Sequence, residues 1–368
     1  MVTHHLRQQI LTGLLAFGVL GLLVVFSSIT GCTLAPPGTA IPSNSSHPSV
    51  ASDQPVTLVD SLNRTVTLPQ IPQRIISANQ GSVPTLIVMG AGDRIVGVPS
   101  FVLADTNLAR HLPNAQVFAG SLQKVNCEQI LALKPDVIIE YVKYPPLCND
   151  RLEEAGIPIL YFNSFDLTEI RNASRQFGLL TGNPKKSDEY IGFVDQYQSL
   201  TDSRIANYSG PAPRVYLEYS TDYMTYGKNS QGDALMANLH ADNIARSIDL
   251  EFPTISPEWI LQQDPDVIIK LVSSTDMRAN TTTLQKSYQD LVSRPGFSNL
   301  SAVRNHRVYV ISSDLVYYTR QPVGLVYLAK MIYPDQFSDV DPGQILHTYA
   351  SRFQLYADNI PTVYPHFS

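Results

Sequence analysis

Short runs of consecutive apolar residues alternate along most of the chain with segments of helical periodicity. The runs Ile75-Ile76, Ile95–Val98 and Val137–Ile139 show no polar alternation, which is typical of strands buried on both faces of a parallel sheet. The segment that ends at Met89 and the segment 127–133 have the spacing of helices. The pattern therefore predicts an α/β fold with mainly parallel sheets.

The first patterned segment is of a different kind. Residues 56–59 and 64–68 are two short runs rich in Val, Thr and Leu, separated by Ser61-Leu62-Asn63. Two such runs around a polar turn predict a β-hairpin at the start of the folded region.

A twelve-residue pattern occurs twice. Residues 128–139 and 258–269 share the pattern E-x-I-L-x-x-x-P-D-V-I-I, and Pro72–Ile76 weakly resembles Ala212–Tyr216 at a similar distance ahead of each copy. Repetition of a helix followed by a strand indicates two related structural units. We expect two α/β lobes, over residues 56–183 and 210–368.

The two predicted lobes are separated by a segment with the signals of one long helix. Asn183-Pro184 is a suitable start, and Gly210-Pro211 is a suitable stop. We therefore expect a connecting helix over residues 184–209, of which about 24 residues would span about 36 Å. Such a connector is stiffer than a strand hinge. The larger apolar residues at helical spacing in this segment are Tyr190, Ile191, Val194, Tyr197, Leu200 and Ile205.

The beginning of the chain has the pattern of an export signal. Arg7 precedes an uncharged apolar run from Ile10 to Ile29, which leads into Thr30-Gly31-Cys32. This ending resembles a lipobox, which implies lipidation of Cys32 and removal of residues 1–31. An uncleaved membrane-spanning anchor is the alternative, since about 20 apolar residues also span a bilayer. Residues 32–55, rich in Pro and Ser, are predicted to be a flexible tether. Both alternatives place the rest of the chain outside the cytoplasm, at the outer face of the cytoplasmic membrane.

Charge and cysteine content narrow the possible partners. The 368-residue chain has a net charge of −6 and no run of Lys or Arg, which argues against nucleic acid as the partner. Cys127 and Cys148 remain after Cys32, and in an exported chain they form either a disulfide or two isolated thiols. The histidines are scattered and no CxxC pair occurs, so no pre-built metal site is predicted.

Together these motifs identify a resemblance. The sequence resembles the iron-complex, haem and cobalamin branch of ABC-transporter substrate-binding proteins over nearly the whole chain from Val56. The resemblance implies two lobes joined by one rigid helix, no cofactor, and a monomer that delivers a metal chelate to an ABC permease dimer with its ATPase. A ferric siderophore is the first expectation for this chelate, and haem or a corrinoid is the alternative. The segments that carry it are Val59–Arg64, Pro72–Ile76, Met89–Val98, the two P-D-V-I-I repeats, Asn305–Tyr309 and Pro322–Lys330.

The resemblance also implies a docking role for two acidic residues. In this family each lobe presents a surface Glu to basic residues of the permease, and the matching positions here are Glu128 and Glu258. The alternative is that each carboxylate only stabilises the N-terminus of its helix by about 0.3–1 kcal/mol.

The ligand site is expected beyond the carboxyl ends of the strands, where open α/β sheets bind ligands. Tyrosine dominates the residues at these positions, and the chain has 19 Tyr against one Trp. Phenol rings offer flat apolar faces that suit a macrocycle. Each Tyr can instead be a packing residue or ligate ferric iron, and Arg320 can bind an anionic ligand or form an internal ion pair. The candidates are Asn79, Gln80, Ser121, Tyr141, Tyr144, Tyr219, Tyr223, Tyr226, Ser273, Tyr317, Tyr318 and Arg320.

An enzyme is not predicted, because neither a G-x-S-x-G motif nor a phosphate-binding loop occurs in the sequence. Two alternatives to the transport of a metal chelate remain open. One is a surface sensor or binding module on the same scaffold, and the other is a transport protein for a bare oxyanion such as molybdate.

Overall fold

The computed structural model describes residues 53–78, 81–118, 127–143, 146, 148–163, 168–272, 281–355 and 363–365. Cys32 and the predicted signal peptide lie outside these ranges.

The predicted hairpin is confirmed: β1 (Val56–Val59) pairs antiparallel with β2 (Thr65–Leu68). Its turn contains Asn63 in the left-handed conformation (φ 57°), which Asn tolerates better than most residues.

The first lobe is built on five parallel strands in the order β5-β4-β3-β6-β7. These are β3 (Ile75–Ser77), β4 (Ile95–Pro99), β5 (Gln116–Phe118), β6 (Val137–Tyr141) and β7 (Ile159–Phe162). The strand order reverses between β3 and β6, the position at which open α/β sheets bind ligands. The helices of this lobe are α1 (Ser82–Val88), α2 (Ser100–Ala104), α3 (Thr106–Ala109), α4 (Cys127–Ala132), α5 (Asn149–Glu154) and α6 (Ile170–Thr181).

The second lobe repeats the arrangement with strand order β12-β11-β10-β8-β9. All its pairings are parallel except that between β12 and β11. The strands are β8 (Arg214–Glu218), β9 (Asp242–Asn243), β10 (Val267–Val272), β11 (Val308–Ser312) and β12 (Val363–Tyr364). The helices are α8 (Gln231–Asn238), α9 (Pro257–Gln263), α10 (Thr281–Val292), α11 (Ser301–Arg304), α12 (Ser313–Val316), α13 (Gln321–Ile332) and α14 (Pro342–Phe353).

The connecting helix is α7 (Pro184–Ile205), which starts at the predicted proline and ends four residues before the expected boundary. Its 22 residues span about 33 Å. The preceding helix α6 ends at Thr181 and is capped by Gly182, whose φ of 70° favours glycine. The Tyr190 hydroxyl donates a hydrogen bond to the Thr319 carbonyl (3.1 Å), so α7 is bonded directly to the second lobe.

The main hydrophobic core lies on both sides of α7. Tyr190 and Phe193 of this helix are fully buried and belong to one cluster with α6 and β7 of the first lobe and α13 and α14 of the second. Each lobe also has a smaller hydrophobic cluster between its sheet and the helix of the repeat. Ile130 of α4 lies in the cluster of the first lobe, and Ile260 of α9 lies at the equivalent place in the second. The chain is a two-lobed α/β protein with mainly parallel sheets. Across the described ranges, no helix is long and apolar enough to cross a membrane.

Candidate ligand-binding cleft

The two lobes meet beyond the carboxyl end of β6. Lys143, two residues after that strand, forms an ion pair with Glu251 of the second lobe, with Nζ 2.8 Å from Oε1. Tyr141, the last residue of β6, is half-buried on the same side of the junction. The predicted edge of the first sheet therefore faces the second lobe.

An aromatic cluster of the second lobe, called the aromatic wall below, adjoins Glu251. The rings of Tyr219, Tyr226 and Phe252 lie 5.6–5.8 Å apart, centroid to centroid, in edge-to-face contacts. Tyr219 is half-buried and Phe252 is 38% exposed. Phe252 follows Glu251 in the chain, which places this wall beside the ion pair between the lobes.

Two of the predicted tyrosines form the buried part of this cluster. Tyr226 and Tyr317 are buried, and the Tyr317 hydroxyl donates a hydrogen bond to the Tyr226 hydroxyl at 3.0 Å. Burial raises the pKa of both phenols well above the usual value, and their proximity adds to the rise for Tyr226. Both hydroxyls therefore stay protonated at neutral pH.

Tyr318 lies where the tyrosines of the two lobes come together. Its pKa is raised by burial first, and then by the neighbouring phenols Tyr317, Tyr219 and Tyr141. Its backbone adopts φ 60°, a conformation that is uncommon outside glycine. Strained positions of this kind are often found where a protein holds a ligand. The structure thus brings together Tyr141, Tyr219 and Tyr318 from the predicted set.

Arg320 forms an ion pair within the fold, which is the second of the two roles considered for it above. It is 2% exposed, in a short 3-10 turn before α13, and its guanidinium forms an ion pair with Asp314. The same turn is held by Tyr349, whose hydroxyl donates to the Thr319 hydroxyl at 2.6 Å. Because the charge of Arg320 is already balanced inside the fold, this arrangement does not support a role in binding an anionic ligand.

Tyr223 lies apart from the cleft tyrosines. It also has a positive φ (63°), but its ring packs against the Arg294 guanidinium at 4.3 Å and belongs to the cluster around α9. The remaining predicted ligand residues, Asn79, Gln80, Ser121, Tyr144 and Ser273, lie outside the described residues.

A buried ionic network lies beside Tyr223, and the sequence analysis missed it. Glu218, at the end of β8, is fully buried and accepts hydrogen bonds from Lys270 (2.5 Å) and from both Arg294 terminal nitrogens (2.6 and 2.9 Å). Asp222 contacts both cations at 2.6 and 2.8 Å, and its side chain is 63% exposed. Partial burial acts to raise the pKa of Asp222, but Lys270 and Arg294 lower it below its ordinary value. A charged Lys270 within an apolar strand was the available signal, because a buried charge requires a partner.

The first lobe has an acid where the second has Lys270. Extending the repeat by one residue aligns Glu140 with Lys270. Glu140 is 4% exposed, and one carboxylate oxygen accepts a hydrogen bond from the Tyr141 backbone N–H at 2.7 Å. Burial raises the pKa of Glu140 to about 7, against a smaller lowering by this hydrogen bond.

The two predicted docking acids occupy equivalent positions on the surface. Glu128 is the second residue of α4 and Glu258 the second residue of α9, and both are exposed. Glu128 forms an ion pair with Arg151 of α5 at 2.5 Å. Within the described part of the chain, Glu258 forms no ion pair.

Cys127 and Cys148 are joined by a disulfide, and their Cα atoms lie 6.0 Å apart. The bond connects the first residue of α4 with the residue that caps α5. Among the described residues, three or more His, Cys, Asp or Glu side chains nowhere come close enough together to hold a metal ion.

The model of one family, described as periplasmic binding protein, matches residues 75–315. This range contains both repeats, the connecting helix and the aromatic wall. The chain belongs to the periplasmic binding protein family.

Three relatives of this periplasmic binding protein differ in what they are named for. An uncharacterized ABC transporter substrate-binding lipoprotein of Bacillus subtilis is 26% identical over 294 residues, which are 77% of this chain and 88% of the relative. A cobalamin-binding protein of Halobacterium salinarum is 27% identical over 62% of each chain. A molybdate-binding protein of Haemophilus influenzae is 24% identical over 80% of this chain and 90% of its own.

A crystal structure has the same architecture. The TroA-like periplasmic binding protein FepB from Veillonella parvula matches with a TM-score of 0.72 and 23% identity, covering 84% of this chain and 98% of that protein. At this identity the likeness concerns the fold, which is the two-lobed arrangement described above.

Proposed function

We propose that this periplasmic binding protein is lipid-anchored through Cys32 and captures a bulky, weakly charged metal chelate, with a corrinoid as the favoured class, for delivery to an ABC permease and its ATPase. The observation that carries the choice of ligand is the partly exposed portion of the aromatic wall, Tyr219 and Phe252, together with Tyr318, whose neighbouring phenols include Tyr219 and Tyr141. Aromatic side chains of this kind bind large apolar faces.

The electrostatics of the cleft favour a ligand of low charge. Arg320, the cation predicted to meet an anionic chelate, is paired with Asp314. A bare oxyanion or an anionic ferric siderophore needs hydrogen-bond donors or cations around it. Among the described residues, Lys143 at the junction of the lobes is paired with Glu251. A corrinoid presents a broad macrocycle whose binding depends more on apolar contact.

The phenols support the same choice. Direct ligation of ferric iron requires a phenolate, but burial raises the pKa of Tyr226, Tyr317 and Tyr318. Ionising them therefore costs additional free energy. We infer that the rings act by packing, with their hydroxyls protonated.

The names of the relatives extend the proposal to transport. One relative is named as a substrate-binding lipoprotein of an ABC transporter and another as a cobalamin-binding protein. The Ile29-Thr30-Gly31-Cys32 sequence is consistent with the same kind of anchor here.

Calorimetric titration with cyanocobalamin, hemin, ferric siderophores and molybdate tests the ligand class. We expect tight binding of cyanocobalamin. Tyr219→Ala should weaken it about tenfold, which corresponds to about 1.4 kcal/mol, whereas Tyr219→Phe should retain the affinity because the ring remains. Tyr288→Ala, a change in α10 outside the cleft cluster, is the matched control. Binding of molybdate alone, unaffected by Tyr219→Ala, would contradict the corrinoid assignment.

A further inference from the structure

The helices that carry the two docking acids start in different ways. In the second lobe, the Ser256 hydroxyl caps α9 by accepting a hydrogen bond from the Trp259 backbone N–H at 3.2 Å, and Pro257 is the first helical residue. A capping serine followed by proline fixes the first turn, because proline has its φ preset for the helix. Glu258 thus projects from a helix start that is determined locally.

The first lobe has a covalent bond at the corresponding place. The repeat aligns Cys127 with Pro257 and Glu128 with Glu258. Cys127 is bonded to Cys148, which caps the neighbouring helix α5. The disulfide therefore ties the first turn of α4 to the first turn of α5, at the residue next to the docking acid.

A second link joins the same two turns. Arg151, in the first turn of α5, contacts Glu128 at 2.5 Å, and the side chains of Arg151 and Glu128 are 54% and 63% exposed. An exposed pair of this kind contributes little by itself and orders its side chains weakly. The disulfide therefore fixes the backbone from which the Glu128 side chain projects, because it holds the adjacent residue, Cys127.

We propose that the Cys127–Cys148 disulfide is a positioning element for docking: it holds Glu128 in the geometry that matches basic side chains of the permease, as Ser256 and Pro257 do for Glu258. This inference rests on the proposed delivery to an ABC permease, and on the docking role that the family resemblance implies for Glu128 and Glu258. Charged groups at an interface set register and specificity, so a displaced carboxylate loses complementarity even when the ligand site is intact. A disulfide that only stabilises the lobe would, by contrast, raise its thermal midpoint and leave docking unchanged.

The test uses biolayer interferometry to measure binding of the full-length protein to the permease–ATPase complex in nanodiscs. The variants are Cys127→Ser/Cys148→Ser, which removes the bond, and the transfer variant Cys127→Pro/Cys148→Ser, which removes the bond and gives α4 the proline with which α9 starts. Glu128→Lys is the reference for a lost docking acid. Cyanocobalamin affinity and the thermal midpoint are measured on every variant.

We expect the double serine variant to dock about tenfold more weakly, a change of about 1.4 kcal/mol, with unchanged cyanocobalamin affinity. The transfer variant should restore docking to within about twofold, because its helix start is again fixed. If the double serine variant does not fold, Cys127→Ala/Cys148→Ala takes its place: docking about tenfold weaker than that of the parent supports the proposal, and docking near the level of the parent overturns it.

Other outcomes separate this inference from the proposed function. If Glu128→Lys weakens docking but the double serine variant docks like the parent, the disulfide only stabilises the lobe and the inference is wrong. If Glu128→Lys/Glu258→Lys docks like the parent, the docking role itself is wrong, and the positioning role is excluded with it.

Discussion

Lys143 and Glu251 join the two lobes at the mouth of the cleft, where Lys143 Nζ lies 2.8 and 3.1 Å from the two carboxylate oxygens. Both side chains are about half exposed (53% and 43%). An exposed pair contributes about 0.2–1 kcal/mol, and salt screens it. The pair is therefore a weak link between the lobes.

Lys143→Met should speed the dissociation of cyanocobalamin by at most about fivefold, and the difference should vanish in about 1 M salt, where charges are screened within about 3 Å. Stopped-flow absorbance measures the rate. Lys228→Met is the matched control, because Lys228 pairs with Asp249 inside the second lobe. An equal acceleration by both changes would show that the position across the lobes is irrelevant.

The buried network of the second lobe predicts a large loss of stability. Glu218→Gln removes the charge that faces Lys270 and Arg294, and an uncompensated buried charge costs about 3–5 kcal/mol. Asp222→Asn, at a 63% exposed side chain, should cost less than about 1 kcal/mol. Urea denaturation followed by the fluorescence of Trp259 compares the two, and similar losses would contradict the ranking.

Glu140 predicts a pH dependence of stability. Its pKa is raised from 4.5 to about 7 in the folded protein. The unfolded chain releases the proton at lower pH, so the free energy of unfolding should fall between about pH 4.5 and 7, by up to about 3 kcal/mol. Glu140→Gln should remove this decline, whereas Glu153→Gln, an exposed change in α5, should keep it. Denaturant titrations at pH 5 and 8 measure the free energy of unfolding at each pH. An equal change in this free energy between the two pH values for the parent and for Glu140→Gln would refute the prediction.

Lipid anchoring is tested at Cys32. Cys32→Ser should block processing or release the protein from membranes, because one or more acyl chains supply the attachment. Fractionation and mass spectrometry of the N-terminus measure it, with Cys127→Ser/Cys148→Ser as the control for loss of thiols elsewhere. A serine variant that is processed and sediments like the parent would favour the membrane-spanning alternative.

The sequence predicted the fold where local signals were strong. The repeated E-x-I-L-x-x-x-P-D-V-I-I pattern forms a helix and a strand in each lobe, and Pro184 starts α7 as expected. The end of α7 at Ile205 was less predictable, because the stop signal Gly210-Pro211 comes five residues later and Tyr208, which packs against the core, lies between them.

The site was less predictable because its contacts join distant segments. Lys143 and Glu251 are 108 residues apart, and neither carries a local signal. Tyr219 and Tyr226 both follow β8, yet only the loop geometry makes one half-exposed and the other buried. Arg320 is paired with Asp314 six residues earlier, a contact that depends on the turn between α12 and α13.

The sharing of α7 by both lobes bears on how the chain acquires its structure. Phe193 packs against Phe353 of the second lobe at 5.5 Å, while the Ser187 hydroxyl donates to the Ser174 carbonyl of the first lobe at 2.8 Å. A fragment cut before or after this helix would either expose the large apolar surface of α7 or lack the helix against which its own core packs. Neither half should therefore persist as a separate soluble fragment, and complementation between two fragments should succeed only when both are present while they fold.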